Sequence, residues 1–364
     1  MPTTVGPSPE RPWPLLGRDH ELAVVLGALT AAPSDGARIV TVHGPTGVGK
    51  SRFLAEVAAH ARADGNHVVE LTGSAILAVV PLGALSARFP GLSPYDGTPL
   101  DPARLFVEAG AGLAAAAQGR PVVLVVDDAT LLDSASMLLI AQLAAAGRIR
   151  LVVALRHGDP MPEPLVMTWS AGRDVRIDLG PLTSALTQAA LEGVLGSAVA
   201  HRTASGLHAA SGGNPLYLRE LVLGALADGS LVRAPQGDIW QLAGGPAGTP
   251  TLRDLVLARI APLGAPARDV LERIAVCGPL RPGQLPGEGV RAILTALEDV
   301  GLVRVGDGGA VELAQPVYGT VLTQAMSRLR VEDILAEQSA LLAAQSEGRA
   351  DLHVTMWQVE AGLP

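Results

Sequence analysis

The chain has 364 residues, 48% of them apolar and only 3% aromatic, with a formal net charge of −8. That length allows two or three domains with aliphatic cores, and an acidic balance without a run of basic residues argues against strong non-specific nucleic-acid binding, which needs a clustered positive face. The sole cysteine, Cys277, leaves no disulfide framework or cysteine-based metal site; with no apolar run long enough to span a membrane and no signal-peptide order at the start, a cytoplasmic protein is expected.

In chain order, the proline-rich residues 1–14 read as a flexible leader, and Glu21 to Ala31 as a helix with Leu22, Val25, Leu26 and Leu29 on one face. Arg38 to His43 is a β-branched run, hence a buried strand; it leads into a glycine loop, and Ser51 to Ala63 then reads as a helix. Further strands are expected at His67–Leu71, Val122–Val126, Ile149–Leu155 and Val175–Leu179, with helices between them at Pro102–Ala117 and Ser134–Ala146. Alternation of this kind predicts an α/β domain at 15–180, a parallel sheet covered on both faces. Past Gly180 the strand signal fades. Residues 181–264 read as helices broken by Ser211-Gly212-Gly213-Asn214-Pro215 and by a glycine- and proline-rich loop or hairpin at Ala234–Pro250. Residues 265–330 carry helices at Ala267–Cys277 and Val290–Val300, then two short strands, Leu302–Val305 and Ala310–Leu313, around Gly306-Asp307-Gly308-Gly309. Helices followed by a small hairpin predict a winged-helix-like domain. Residues 331–364 begin a helical region expected to continue in a longer protein.

Gly44-Pro45-Thr46-Gly47-Val48-Gly49-Lys50-Ser51 meets every fixed position of G-x-x-x-x-G-K-[ST], and Lys50 is the only lysine in the chain. Arginine is a broad planar fork, whereas the lysine ammonium is a compact charge on a thin stem that can follow a tight loop onto a phosphate. Pro45, Thr46, Gly47, Val48 and Gly49 are expected to form an anion nest for a triphosphate tail, with the positive end of the next helix aimed at it. Lys50 would bridge the β- and γ-phosphates, Ser51 would place its hydroxyl on Mg²⁺, and Arg52 joins the nucleotide-contacting set. Val122 to Val126 followed by Asp127-Asp128 is the expected partner strand: Asp127 would hold Mg²⁺ through water, and Asp128 would orient or deprotonate the attacking water. Asp133 precedes a helix and reads as an N-cap or as a further catalytic acid. If the strand Ile149–Leu155 lies between the other two, Arg156 emerges beside the γ-phosphate as a sensor or a stabiliser of transition-state charge, the alternative being a surface arginine. His157 reads as solvated or structural. Gly213-Asn214-Pro215 on its own reads as a helix stop and restart.

Leu16-Gly17-Arg18-Asp19-His20-Glu21-Leu22, the glycine loop, Val122–Asp128, Ala154-Leu155-Arg156 and Gly212-Gly213-Asn214-Pro215-Leu216-Tyr217 stand in that order over roughly residues 15–225. Together they resemble a signal-transduction ATPase of the STAND class, within the AAA+-like branch of P-loop NTPases. More narrowly, they are similar to the N-terminal part of large ATP-binding LuxR-type, maltose-regulator-like regulators. The resemblance implies that Gly17 and Arg18 lie near the adenine base, that Pro215 packs on the base from a helical lid, and that Arg156 is the family's sensor. It implies a switch held closed by ADP and opened by ATP exchange and an inducer, a small molecule or a protein, often with self-oligomerisation. Hydrolysis would be slow, and DNA would be bound only through a C-terminal domain absent from this chain. The competing reading is an AAA+-type ring ATPase doing mechanical work. Thr130 departs from relatives that often carry histidine there, which bears on hydrolysis more than on binding. Ala75–Leu85 is more apolar than a linking segment needs to be.

Overall fold

The computed structural model describes residues 13–30, 38–86, 88, 101–169, 174–234, 238–244 and 248–345. The chain divides into two compact units, one spanning Leu15–Gly180 and the other Pro181 onward together with the stretch ending at Pro14.

In the first unit α1 (Asp19–Thr30), β1 (Ile39–Gly44), α2 (Lys50–Ala63) and β2 (His67–Thr72) are followed by a short α3 (Gly83–Ser86) and α4 (Pro102–Ala117). Then come β3 (Val122–Asp127), α5 (Ser134–Ala145), β4 (Arg150–Arg156), α6 (Glu163–Thr168) and β5 (Val175–Asp178). The strands form one five-stranded sheet in the order β2-β3-β4-β1-β5, every pair parallel. Parallel strands buried on both faces read as continuous apolar runs, and every residue of β1 is buried. Val40, Val42, Val123, Val125, Val152 and Ala154 pack on one face with Phe53, Leu54 and Val57 of α2 and Val25 of α1. Leu124, Val126, Leu151, Val153 and Leu155 pack on the other with Leu113 of α4 and Ile140 and Leu143 of α5. β4 sits between β3 and β1, with Arg156 in register with Gly44. All C-terminal strand ends therefore share one edge, where open α/β sheets bind their ligands.

In the second unit α7 (Ser184–Leu195), α8 (His201–Ser211) and α9 (Pro215–Ala227) precede a hairpin of β6 (Leu231–Arg233) and β7 (Trp240–Leu242). The hairpin starts a few residues before the glycine- and proline-rich stretch that predicted it, because Leu231 and Trp240 are buried and anchor it. Next are α10 (Pro250–Ile260), α11 (Ala265–Cys277), α12 (Val290–Asp299), the hairpin β8 (Val303–Val305) and β9 (Val311–Leu313), α13 (Pro316–Ala325) and α14 (Arg328–Gln345). Tyr217 of α9 and Tyr318 of α13 meet edge to face with their hydroxyls 3.2 Å apart, and Arg259 of α10 donates to the Tyr318 hydroxyl at 3.0 Å. Arg259 also donates to the Val300 carbonyl at 2.6 Å, tying the entry of the second hairpin to three helices.

α14 is joined to α11 by a charge network. Arg273 donates to Asp269 at 2.7 Å and Glu337 at 2.5 Å, and Arg330 to Asp269 at 2.5 Å and Glu272 at 3.0 Å. Burial pushes the Asp269 carboxyl up, but hydrogen bonds from Arg273 and Arg330 outweigh it and hold the group below its ordinary value. A carboxylate with a depressed folded pKa contributes stability that is complete above its unfolded pKa of about 3.9 and is lost as pH falls through the lower folded value. Unfolding followed by circular dichroism is therefore expected to show a loss of stability below about pH 4 that is shallower in Arg330→Met. An identical acid profile in that variant would show that the network contributes nothing.

Candidate nucleotide-binding site

The loop leaving β1 turns through Gly47 (φ 83°) and Gly49 (φ 102°), both in the left-handed region where glycine is favoured. Gly44 has no room for a side chain: a Cβ there would stand 2.8 Å from both the Leu179 carbonyl oxygen and a Val48 methyl. The first helical bond of α2 runs from Phe53 N–H to the Gly49 carbonyl at 2.9 Å. The amides of the first turn have no intrahelical acceptor and carry the positive end of the helix dipole, so the loop presents a backbone anion site.

Lys50 is 8% exposed, and its Nζ donates to the carbonyls of Gly44 at 2.8 Å and Pro45 at 3.1 Å. The ammonium is thus folded back into its own loop. Burial lowers its pKa most, the Arg156 charge lowers it further, and the carboxylates of Asp128, Asp127 and Asp159 act in the opposite sense. An ammonium desolvated in this way gains from exchanging neutral carbonyl acceptors for charged phosphate oxygens, which form stronger hydrogen bonds. Ser51 and Arg52 are exposed, and Arg52 is turned towards Glu56 at 3.6 Å on the next helical turn.

Asp127 ends β3, and its carboxylate accepts from the Asp128 N–H at 3.0 Å. Asp128 holds φ 46°, left-handed for a residue with a side chain, and its carboxylate accepts from Arg156 at 3.3 Å. Arg156 therefore reaches across from the end of β4 to the acid at the end of β3. The His157 side chain is exposed, and the backbone N–H of His157 donates to the Gly44 carbonyl at 3.1 Å. Asp133 caps α5: it accepts from Ser136 N–H at 2.8 Å and Ser136 Oγ at 2.6 Å, and also from the N–H of Leu82 at 2.9 Å. Its oxygens are consumed by structure, which answers the alternative of a catalytic role. The same bond anchors the apolar Ala75–Leu85 segment, of which Leu82, Ala84 and Leu85 are buried while Ile76 and Val79 are exposed.

Gly17 is left-handed at φ 64°, and the buried Arg18 guanidinium donates to the Gly180 carbonyl and to Glu21. Pro215 lies in the other unit, at the first position of α9, capped by Asn214, whose side chain accepts from Leu216 N–H at 3.0 Å. Gly213 has φ 71°, and a Cβ there would stand 2.3 Å from the Leu182 carbonyl oxygen. The Gly-Gly-Asn stretch is thus explained by local geometry, and a role of Pro215 towards the base rests on the resemblance.

Two residues near the loop escaped the sequence reading. Asp159 accepts from Thr130 at 3.3 Å and acts on Lys50 electrostatically; no motif marks it. His43, the residue before Gly44, is buried with Nε2 unpartnered, and burial holds its pKa below the ordinary histidine value; a histidine closing an apolar strand was the available signal. Among the described residues no group of three or more His, Cys, Asp or Glu is placed to hold a metal by itself. Mg²⁺ in nucleotide sites is held by one or two protein oxygens plus phosphates, and the Ser51 hydroxyl and Asp127 carboxylate are donors of the right chemistry. Among the described residues no helix is long and apolar enough to cross a membrane.

Residues 14–154 match the AAA ATPase domain family. Among solved structures, a Walker-type ATPase of Pyrococcus abyssi superposes with a TM-score of 0.55 at 16% identity, covering 85% of this chain and 96% of that one. The Orc1 protein of Aeropyrum pernix, solved in complex with DNA, gives 0.46 at 18% identity over 86% and 94% of the two chains. Cdc6p of Pyrobaculum aerophilum gives 0.47 at 14% identity over 87% and 96%. Comparison with curated proteins gives no match. The first unit has the fold of the P-loop NTPases, and residues 14–154 carry its similarity to AAA-type ATPase domains.

Proposed function

We propose that the chain is an ATP- and ADP-binding switch module, the nucleotide-handling part of a LuxR-type transcriptional regulator, which hydrolyses ATP slowly with Mg²⁺. The support lies in the cluster at the sheet's C-terminal edge: Lys50 folded onto the Gly44 and Pro45 carbonyls, and Arg156 paired with Asp128 beside it. In hydrolysis the water oxygen would bond to the γ-phosphorus, the bond to the β–γ bridging oxygen would break, and Asp128 would take the proton. An Asp128 carboxylate held by Arg156 is occupied rather than free to meet a water, and this favours slow turnover and a holding role. Arg156 would leave Asp128 for a γ-phosphate, so the pair reports which nucleotide is bound. Mg²⁺ would be held by Ser51 and Asp127. Gly17 and Arg18 near the adenine, and Pro215 against it, remain assignments by resemblance. So do an inducer, self-oligomerisation, and DNA binding through a domain outside this chain. The α11–α12–β8–β9 succession fits a winged-helix arm.

The match of residues 14–154 to the AAA ATPase domain favours one second reading, a ring ATPase whose arginine finger comes from a neighbouring subunit. Calorimetric titration with ADP and ATP, together with steady-state phosphate release across protein concentrations, separates the two. Micromolar binding with a slow, concentration-independent rate is expected. A specific rate that climbs with protein concentration would favour the ring, and absence of binding would overturn both.

A further inference from the structure

The chain passes between its two units twice, at Pro14–Leu15 and at Gly180–Pro181. Each passage is short and anchored at both ends. Trp13 packs on the core of the second unit and Leu15 on that of the first, with only Pro14 between them. Leu179 is buried in the first core and Leu182 in the second, with only Gly180 and Pro181 between them. Backbone bonds fix the same ends: Leu179 N–H donates to the His43 carbonyl at 2.8 Å, and Leu182 N–H to the Gly213 carbonyl at 2.8 Å. Proline holds its own φ at about −65°, so rotation falls to its neighbours, among which Gly17 and Gly180 carry no side chain. Arg18 stands at both passages. Its backbone carbonyl accepts from Leu22 N–H at 2.8 Å to open α1, and its guanidinium donates to the Gly180 carbonyl and, at 3.3 Å, to Glu21. One buried side chain, 8% exposed, thus joins the two passages at their first-unit ends.

We propose that Arg18 is the clasp of a two-stranded hinge, and that it acts on nucleotide binding as a positioning residue without reading the adenine base. The second half of this rests on the nucleotide reading above. Hinges are a few element-terminal residues that absorb the change in φ and ψ. Two passages free of each other allow the second unit to turn in many directions; two passages tied together leave mainly the bend that both can share. The planar guanidinium suits the task, because its fixed donors hold a backbone carbonyl and a carboxylate at once. A buried charge needs such partners, and Arg18 finds them on the protein. Without the clasp, a nucleotide would have to select its binding arrangement from a wider ensemble, which lowers affinity for every nucleotide by the same factor. An arginine that read the base would change the preference between bases instead.

Hydrogen–deuterium exchange on the full chain without nucleotide, and calorimetric titrations with ADP and GDP, test it in Arg18→Met and Arg18→Lys. Circular dichroism melts are the fold control, and Arg18→Gln replaces Arg18→Met if that chain does not fold. In Arg18→Met, exchange in residues 15–18 and 179–182 should rise about tenfold, while β1, β3 and α2 exchange as in the wild type. Affinities for ADP and GDP should fall by one common factor, about fivefold, so that their ratio is unchanged. Arg18→Lys, which keeps a charged donor, should recover part of both losses. A changed ratio in Arg18→Met would return Arg18 to the base and overturn the proposal. So would wild-type exchange at 179–182, wild-type affinities, or no recovery in Arg18→Lys. If the wild-type chain bound neither nucleotide, the nucleotide reading would fall, and the exchange rates alone would decide for or against the clasp.

Discussion

Lys50→Arg is expected to weaken ADP and ATP binding almost as much as Lys50→Ala, about a hundredfold or more in each case. Lys50 is 8% exposed and its Nζ sits between the Gly44 and Pro45 carbonyls, a space shaped for a point donor on a thin stem. A guanidinium is planar and wider, and it cannot be seated there without displacing the loop that forms the anion nest. Hydrogen bonds to charged groups contribute about 1.5–3 kcal/mol each; two lost contacts to phosphate correspond to roughly 3–6 kcal/mol, or about two to four orders of magnitude in affinity. Calorimetry on the two variants is the check, with the melting temperature of each confirming the fold. Near-normal affinity in Lys50→Arg would show that positive charge alone suffices and that the loop's geometry does not discriminate.

The strands were readable because a parallel sheet covered on both faces writes itself as unbroken apolar runs, as in Val122–Val126 and Ile149–Leu155. The order of those strands was not. That β4 enters between β3 and β1 is a pairing between distant segments, and the sequence reading could carry it only as a condition on Arg156. The glycine loop was visible because its constraint is local: left-handed turns and a single lysine. The engagement of Arg18 with the Gly180 carbonyl joins residues 162 positions apart, and no local pattern encodes it. α6 follows Pro162 and α13 opens on Pro316; each proline stands at a helix start, where a missing N–H costs nothing, and no helix was expected at either. The apolar Ala75–Leu85 run is half explained. Its C-terminal part is buried beneath the Asp133 cap, and nothing in the structure accounts for Ile76 and Val79, each 82% exposed.

Gly73→Ala carries the second large expected effect, and it tests how the acidic strand end is held. Gly73 follows β2, and its N–H donates to the Asp127 carbonyl at 2.9 Å. A Cβ at this position would stand 2.1 Å from the Asp128 carbonyl oxygen and 3.0 Å from the Leu131 Cβ. The nearest obstacle is backbone, so no rotamer change relieves it. Asp128 cannot retreat freely, because it already holds φ 46° and its carbonyl accepts from Leu131 N–H at 2.9 Å. Overpacking typically costs about 1–3 kcal/mol, and a backbone clash belongs at or above the upper end. At about 2–4 °C per kcal/mol for a unit of this size, the melting temperature should fall by roughly 10 °C. Relief by displacing Asp127 and Asp128 would also disturb the Arg156 pair, so phosphate release should drop more than ADP affinity, the reverse of the Lys50 variants. Gly27→Ala in α1 is the control: it has open space around its Cβ position and should stabilise by up to about 1 kcal/mol through helix propensity. If Gly73→Ala melted with the wild type while Gly27→Ala behaved as expected, the close approach of the β2 end to Asp128 would be wrong. The geometry assigned to Asp128 would then fall with it.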